Sequence, residues 1–320
     1  MTPLAQAAAN IRTDRGRSRG KSLLTRMIQH KYIYLLLLPG LLYFLIFRIA
    51  PMWGLLLAFK DYNPYAGFFK SEWVGTEHFR DLFESRTFLL MLRNTLAINI
   101  LGLIFCFPLP IILALMLNEV RHEVFKRINQ SIVYLPHFLS WVVVASMTFF
   151  ILSSDVGIIN KVLQSLGYDT IPFMSNPNYF WAIVTAQNIW KESGWGTIIF
   201  LAAIAGVDPQ RYEAAVIDGA SRFRQIWHVT LPAIRPTIII LLILRLGEMV
   251  DVGFEQILLI MNPLVMSTAE VFDTYAYVRG ILQGQVSAGV AVGMFKGVVG
   301  FVLITLANRV VKRLGHEGIY

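Results

Sequence analysis

The sequence predicts an all-α membrane protein with about six transmembrane helices, and three observations support this fold class. Of the 320 residues, 56% are hydrophobic and only 15% are charged, whereas soluble domains carry about 25% charged residues. The mean hydropathy is +0.58. Lys and Arg stand at the ends of long apolar stretches, as they do in polytopic membrane proteins. The net charge of +8 therefore does not indicate a surface for nucleic acid.

Six apolar stretches are long enough to cross the hydrocarbon core, which takes about 20 helical residues. They are residues 33–59, 91–117, 131–153, 179–205, 237–261 and 288–311. The first is interpreted as a helix rather than a signal peptide, because its basic leader is long and no small-residue cleavage site follows. We therefore expect a basic N-terminal tail at residues 1–31 and one transmembrane domain at residues 32–320.

The distribution of basic residues predicts the orientation. If the N-terminus is cytoplasmic, the inner segments hold 17 Lys and Arg residues and the outer loops hold six. Cytoplasmic loops carry the excess of Lys and Arg, so both termini are predicted to be cytoplasmic in a multi-pass protein of the cell inner membrane. The single cysteine, Cys106, lies within the second stretch and cannot form an intramolecular disulfide.

The sequence has no complete motif for catalysis, metal binding or nucleotide binding. Residues 16–22 read GRSRGKS, one residue short of the phosphate-binding spacing and without a preceding strand. The six histidines are scattered along the chain, without the paired spacing of a zinc site. We expect no catalytic residues, no metal site and no cofactor.

The most informative segment is the predicted inner loop at residues 207–236. Asp208 followed by Pro209 is typical of a helix start, and Gly219 is suited to a sharp elbow at its end. A second short helix is predicted over residues 221–228, stopped by Pro232 and Pro236. The alternative interpretation is an interfacial helix that lies on the lipid headgroups.

Residues in this loop resemble a known family. Glu213-Ala214-Ala215, Gly219 and Leu231-Pro232 are similar to the "EAA" loop of permease subunits in binding-protein-dependent ABC importers. Val229 stands where the family pattern has Ile. The resemblance covers nearly the whole chain. A narrower likeness, to the branch that imports oligosaccharides and polysaccharide fragments, rests on residues 253–256, 262–265, 273–275 and 293–296.

The resemblance implies a type I ABC importer permease fold and a set of partners. These are a second, similar permease, two ATPase subunits that bind ATP and Mg, and an extracytoplasmic solute-binding protein. It also implies that the loop docks on the ATPase and couples its closure to the transmembrane helices. The residues that it assigns to coupling are Glu213, Ala214, Ala215, Asp218, Gly219, Leu231 and Pro232.

Charged residues inside the apolar stretches are a second set of candidates, because an ionised side chain at the bilayer centre costs about 2.5–3.5 kcal/mol. Arg245, Glu248, Asp251 and Glu255 are spaced to share one face of a fifth transmembrane helix. In the functional interpretation such groups line a sugar pathway, and in the structural one Arg245 pairs with Glu248 and Lys191 with a carboxylate. The candidate pathway residues are Trp190, Lys191, Glu192, Trp195, Glu248, Asp251 and Glu255.

Asp251 and Glu255 are the favoured pathway residues, because they lie nearer the predicted outer end. Replacing either by Ala is expected to lower transport without lowering expression.

Two other functions stay open from the residues alone. An ion-coupled secondary transporter would use Lys191, Glu248 and Asp251 as a proton relay, although no half-to-half repeat is visible. A membrane enzyme is disfavoured because no nucleophile–base or metal constellation appears. The elbow loop favours the ABC permease, since neither rival needs it.

Overall fold

The computed structural model describes residues 30–315 and 318–319, so the predicted N-terminal tail falls almost wholly outside them. The chain divides into two units, Met1–Leu56 and Leu57–Tyr320. In the first unit, α1 (Lys31–Phe44) leads into a π-helical turn, and the 3-10 segment that follows, Ala50–Phe59, ends within the second unit. No residue of α1 is buried, as suits an apolar helix in contact with lipid.

The first half of the second unit consists of short helices, two minimal strands and the second apolar stretch. Its elements are β1 (Lys60–Asp61), α2 (Gly67–Lys70), β2 (Glu72–Trp73), α3 (Glu77–Glu84), α4 (Arg86–Leu101), α5 (Pro108–Glu119), α6 (Glu123–Tyr134), α7 (Trp141–Leu152) and α8 (Ile158–Ser165). The two strands are antiparallel, with Lys60 opposite Trp73. A π-helical turn, Gly102–Cys106, joins α4 to α5.

The second half contains the longest helices. Its elements are α9 (Pro177–Ala205), α10 (Pro209–Ile217), α11 (Arg222–Gln225), α12 (Leu231–Gly247), α13 (Phe254–Ile260), α14 (Met266–Ala269), α15 (Phe272–Tyr277) and α16 (Val286–Arg313).

Side-chain caps begin several of these helices. Ser85 accepts from Thr87 N at the start of α4, Asn176 accepts from Asn178 N at the start of α9, and Ser140 caps α7. Each supplies an acceptor for an N–H group that has no partner in the first helical turn. Short polar residues that interrupt apolar sequence therefore determine where these helices start.

Among the described residues, four helices are long and apolar enough to cross a membrane: Lys31–Phe59, Arg86–Glu119, Arg222–Gly247 and Val286–Arg313. A bent pair, described below, raises the number to five, against six predicted. The predicted fourth stretch forms one continuous helix, α9, of 29 residues. It would reach about 43 Å at 1.5 Å per residue, but polar residues such as Gln187, Asn188 and Lys191 interrupt its apolar surface.

The third predicted stretch is not a single helix. Its residues are divided between α6, a 3-10 turn at Leu135–Phe138 and α7, and the two parts are bent by 99°. Leu139 is in an extended conformation and Ser140 starts α7 as its N-cap. Pro136 in the turn favours the break, because a proline cannot donate to the helical ladder.

Two predictions about residues 221–261 are wrong. The short helix predicted over residues 221–228 does not stop at Pro232 and Pro236, since residues Arg222–Gly247 form one helix. A π-helical turn at Ile226–Thr230 widens the ladder just before Pro232, where a missing N–H is tolerated. The helix then ends at Gly247, so that residues 248–253 separate α12 from α13. We call residues 248–253 the break segment.

The hydrophobic core gathers around α9. One buried cluster joins Phe180 and Val184 of α9 to Ile257 of α13 and to Val252 of the break segment. A second cluster packs Phe200 and other α9 residues against α5 and α12. Several polar residues of α9, such as Gln187 and Lys191, are buried and therefore face protein.

Candidate functional site

A cavity of about 500 Å³ opens between α4, α5, α9, α12 and the break segment. Four of the seven predicted pathway residues line it, namely Glu192, Trp195, Glu248 and Asp251. The other three, Trp190, Lys191 and Glu255, are not among its lining residues. A second cavity of about 500 Å³, between α3, α15 and the start of α16, holds none of the predicted residues.

One wall of the cavity is built on the bend between α6 and α7. His137 Nδ1 donates to Glu192 Oε2 at 2.8 Å, and the His137 ring stacks on Trp195 with centroids 4.8 Å apart and planes 12° apart. Gly194 brings α9 against the bend: a Cβ atom there would lie 2.0 Å from Val133 O. The glycine therefore fixes how Glu192 and Trp195 are presented to the cavity.

Lys191 is structural in this arrangement. Its ammonium is buried, donates to His137 O at 2.7 Å and lies 5.2 Å from the centroid of the Trp141 ring. Glu192 Oε1 is 3.5 Å away. The side chain thus locks α9 to the bend, as the structural interpretation expected of it.

The opposite wall is the break segment, and here the predicted common helical face is wrong. Because α12 ends at Gly247, the four charged residues of this stretch do not share one helix. Val250 and Val252 are buried, while Asp251 and Gly253 between and after them are exposed. This alternation, typical of extended backbone, turns Asp251 towards the cavity. Glu255 lies on α13 beyond it.

The charged residues of this wall are paired. Arg245 Nη1 lies 3.3 Å from Glu248 Oε2, which confirms the predicted pair. Lys296 of α16 contacts Asp251 Oδ1 at 3.2 Å and also contacts Asp273 Oδ1 of α15. Burial raises the pKa of Asp273, and the Lys296 ammonium offsets part of that rise. The pairs let charged groups stand beside an apolar interior.

Two amide residues of the site were missed by the sequence analysis. Asn99 of α4 lines the cavity, and its Nδ2 donates to Met249 O and Asp251 O, each at 3.1 Å. Asn188 of α9 also lines it and donates to Gln256 Oε1 at 2.9 Å. An amide side chain inside an apolar stretch is itself a signal, although it does not reveal its partner.

The predicted elbow of the 207–236 loop is present in detail. Asp208 Oδ1 accepts from Gln210 N at 3.0 Å, and Pro209 is the first residue of α10. At the other end Gly219 has φ +74°. Its N–H donates to Val216 O at 3.0 Å, and Ala220 N donates to Ala215 O at 2.8 Å. These two bonds form a Schellman motif.

The motif residues divide into an exposed and a packed group. Glu213, Ala214, Asp218, Gly219 and Pro232 are exposed and Ala215 is half-buried, whereas Leu231 packs into the cluster around α5, α9 and α12. Tyr212 Oη lies 3.0 Å from Thr230 Oγ1, which ties α10 to the π-helical turn before α12. The elbow therefore has an exposed surface, and Tyr212 and Leu231 anchor it to the long helix that contains α12.

The chain is similar to a known protein family and to individual proteins. Residues 106–316 match the family described as "Binding-protein-dependent transport system inner membrane component". Protein LplB of Bacillus subtilis (strain 168) is 54% identical over 302 residues, which are 94% of this chain and 95% of LplB. The polygalacturonan/rhamnogalacturonan transport system permease protein YteP of the same organism is 50% identical over 319 residues, 100% of this chain and 99% of YteP.

A solved structure agrees with these relatives. A chain in the crystal structure of a bacterial alginate ABC transporter, in complex with an alginate pentasaccharide-bound periplasmic protein, has a TM-score of 0.85 and 40% identity. The match covers 93% of this chain and 100% of that chain. The family and the fold expected from the elbow loop are thus confirmed, and the ion-coupled transporter is disfavoured. The chain belongs to the inner-membrane components of binding-protein-dependent transport systems, and is a multi-pass transport subunit rather than an enzyme.

Proposed function

We propose that this chain is the permease subunit of an ATP-driven importer that moves oligosaccharides or polysaccharide fragments by alternating access. The observation that carries the proposal is the cavity between transmembrane helices whose walls hold Glu192, Trp195, Glu248 and Asp251. The names of YteP and of the alginate transporter support a polymeric carbohydrate as the substrate.

In this proposal the cavity is one half of the saccharide path. Carboxylate oxygens accept hydrogen bonds from hydroxyl groups, and Trp195, half-exposed beside His137, offers an aromatic face to a sugar ring. Glu192 is held by His137 and Lys191, and Glu248 is held by Arg245. Because each carboxylate oxygen has two lone pairs, both side chains can still accept a hydrogen bond. Trp190, Lys191 and Glu255 are assigned no direct contact with the saccharide.

The elbow is the proposed contact with the ATPase. Its exposed residues, Glu213, Ala214, Asp218 and Gly219, face the docking partner, and Leu231 and Pro232 carry its displacement into α12. ATP and Mg are bound by two ATPase subunits, so this chain needs no cofactor of its own. The predicted cytoplasmic position of both termini is consistent with an elbow on the ATPase side of the membrane.

A second, similar permease completes the path, and a solute-binding protein delivers the sugar from outside. The solved alginate transporter is in complex with a periplasmic protein, which supports the binding protein as a partner. We expect a heterodimer, since one copy of each of two related chains would shape an asymmetric path for an asymmetric saccharide.

Reconstitution tests the proposal. This chain is co-expressed with candidate permease and ATPase partners and placed in liposomes with the binding protein. ATP hydrolysis and uptake are measured with oligogalacturonides, rhamnogalacturonan fragments and alginate oligosaccharides. Stimulation by at least one saccharide is expected, and none by glycerol 3-phosphate. The proposal is wrong if no saccharide stimulates hydrolysis, or if a proton gradient drives uptake without ATP.

A further inference from the structure

The break segment is a stretch of non-helical backbone among long apolar helices, and its polar groups need partners. Within a membrane, N–H and C=O groups without hydrogen-bond partners are costly. Asn99 Nδ2 donates to the carbonyl oxygens of Met249 and Asp251. Asp273 Oδ2 accepts from Val252 N at 3.0 Å. Two distant elements, α4 and α15, therefore hold the same short run of peptide units.

A third element holds the side chain that the break segment presents. Lys296 of α16 lies between Asp251 and Asp273. The side chains of Lys296 and Asp273 are 12% and 15% exposed, against 65% for Asp251. The largely buried Lys296–Asp273 pair is thus fixed, and the exposed Asp251 carboxylate contacts it through Lys296.

The carboxylates of Asp273 and Asp251 differ in how many of their oxygen atoms accept a hydrogen bond. Both oxygens of Asp273 are occupied, one by Lys296 and the other by Val252 N. Asp251 gives only Oδ1 to Lys296, and among the described residues its Oδ2 has no hydrogen-bond donor. That oxygen is left for a ligand in the cavity.

We propose that Lys296 and Asp273 are positioning residues that hold the break segment so that Asp251 offers one carboxylate oxygen to the saccharide. The proposal rests on the proposed function, because it takes Asp251 to contact the saccharide. Asp273 neutralises Lys296 and fixes Val252, and Lys296 then sets the direction of the Asp251 carboxylate. Neither positioning residue touches the substrate.

Uptake of the panel saccharide with the highest wild-type rate (an oligogalacturonide, rhamnogalacturonan fragment or alginate oligosaccharide) is measured in the reconstituted importer. D251N and K296M are each expected to lower uptake about tenfold, mainly through the half-saturating concentration. The double variant is expected to equal D251N, because coupled residues are not additive. K296R is expected to stay within about threefold of wild type, since it keeps the charge. K312M, on the same helix but in none of the described ion pairs, is the matched control.

A labelling measurement decides the positioning part without transport. Val252→Cys reports on the break segment, because Val252 is buried beside the cavity and its N–H donates to Asp273. Cys106→Ala removes the single native thiol. Adding K296M should raise the rate of labelling by a water-soluble thiol reagent at least about fivefold, as the segment opens locally. K312M should not change it.

The outcomes separate the two proposals. Unchanged labelling with K296M, or uptake losses that multiply in the double variant, would overturn the positioning role. Normal uptake by D251N would remove Asp251 from the saccharide path and so overturn that part of the proposed function. If D251N transports normally but K296M raises the labelling rate, the result still supports the proposal that Lys296 fixes the break segment.

Discussion

The elbow of the 207–236 loop and the break segment before α13 are both interruptions between helices, but they are specified in different ways. The elbow is held by neighbours in sequence: Asp208 caps α10, and Gly219 closes it through bonds to residues three to five positions away. The break segment is held by Asn99, Asp273 and Lys296, which lie from 21 to about 150 residues away along the chain.

This contrast indicates which changes each region tolerates. A local motif keeps its shape wherever the surrounding helices move, as a contact that transmits motion to a partner requires. A segment fixed by three elements depends on their relative positions, so it responds when the helices around the cavity move. The elbow should therefore be sensitive to backbone changes and the break segment to distant side chains.

The largest effect is expected from Gly219→Pro. Gly219 has φ +74° and its N–H donates to Val216 O, whereas proline fixes φ near −65° and has no N–H. Saccharide-stimulated ATP hydrolysis should be abolished while the protein stays in the membrane. Gly219→Asn, which tolerates this region better, should keep part of the activity.

Gly206→Ala is the control for that change. Gly206 ends α9 with φ −81°, and an added Cβ would come no closer than 3.5 Å to Ala203 O. Normal stimulation is expected. If Gly219→Pro couples as well as Gly206→Ala does, the elbow does not transmit the motion of the ATPase.

Gly194→Ala should give the next largest effect, this time on folding. A Cβ at Gly194 would lie 2.0 Å from Val133 O, which is backbone and cannot move aside. Overpacking of this kind costs about 1–3 kcal/mol or more, so thermal unfolding in detergent should shift to lower temperature.

Gly293→Ala is the matched comparison, because Gly293 is also in a long helix but a Cβ added there would meet nothing within 4 Å. Measured on the isolated subunit, it should be neutral or stabilising by up to about 1 kcal/mol. Equal stability of the two variants would mean that α9 does not rest on the bend as closely as described.

Asp251→Ala tests the break segment at the cavity. Asp251 lines the cavity and Glu255 does not, although the sequence favoured both. Uptake should fall about tenfold in Asp251→Ala, since a hydrogen bond to a charged group contributes about 1.5 kcal/mol or more. Glu255→Ala should transport at nearly the wild-type rate. The opposite ranking would place the saccharide beside α13 instead.

The smallest effect is expected from the tryptophans. Trp195 stacks on His137 and lines the cavity, whereas Trp190, earlier on α9, does not line it. Trp195→Ala should raise the half-saturating saccharide concentration a few-fold, because aromatic pairs contribute about 0.5–1.5 kcal/mol. Trp190→Ala should leave it unchanged. Uptake measured at several concentrations separates this from a loss of protein.

Much of the fold was predictable where the signal is local. Long apolar stretches identified α4, α9 and α16, and the Asp208-Pro209 pair and Gly219 located both ends of α10. Two errors lie at prolines. Pro232 stands inside a continuous helix, just after a π-helical turn, whereas Pro136 lies in a 3-10 turn at a 99° bend. A proline alone does not say whether a helix stops, bends or continues.

The candidate site divides along the same line. Charges and tryptophans in apolar sequence marked Glu192, Trp195, Glu248 and Asp251, because unusual polarity is visible without a structure. The same signal also marked Lys191, whose ammonium instead donates to His137 O and lies over the Trp141 ring. Polarity in the sequence could not separate cavity-lining residues from structural ones, because that difference depends on which helix lies opposite each side chain.

Composition and short-range motifs were sufficient to predict the membrane class and the elbow, since each depends on overall polarity or on residues a few positions apart. The family was predicted from the resemblance of the loop at residues 207–236 to the EAA loop of ABC importer permeases. Three features depended on tertiary contacts: the break in the fifth stretch, the exposure of Asp251 rather than Glu255 to the cavity, and the sharing of Lys296 between two carboxylates. They arise where helices distant in sequence meet, because a backbone break inside a membrane is stable when other helices supply its hydrogen bonds.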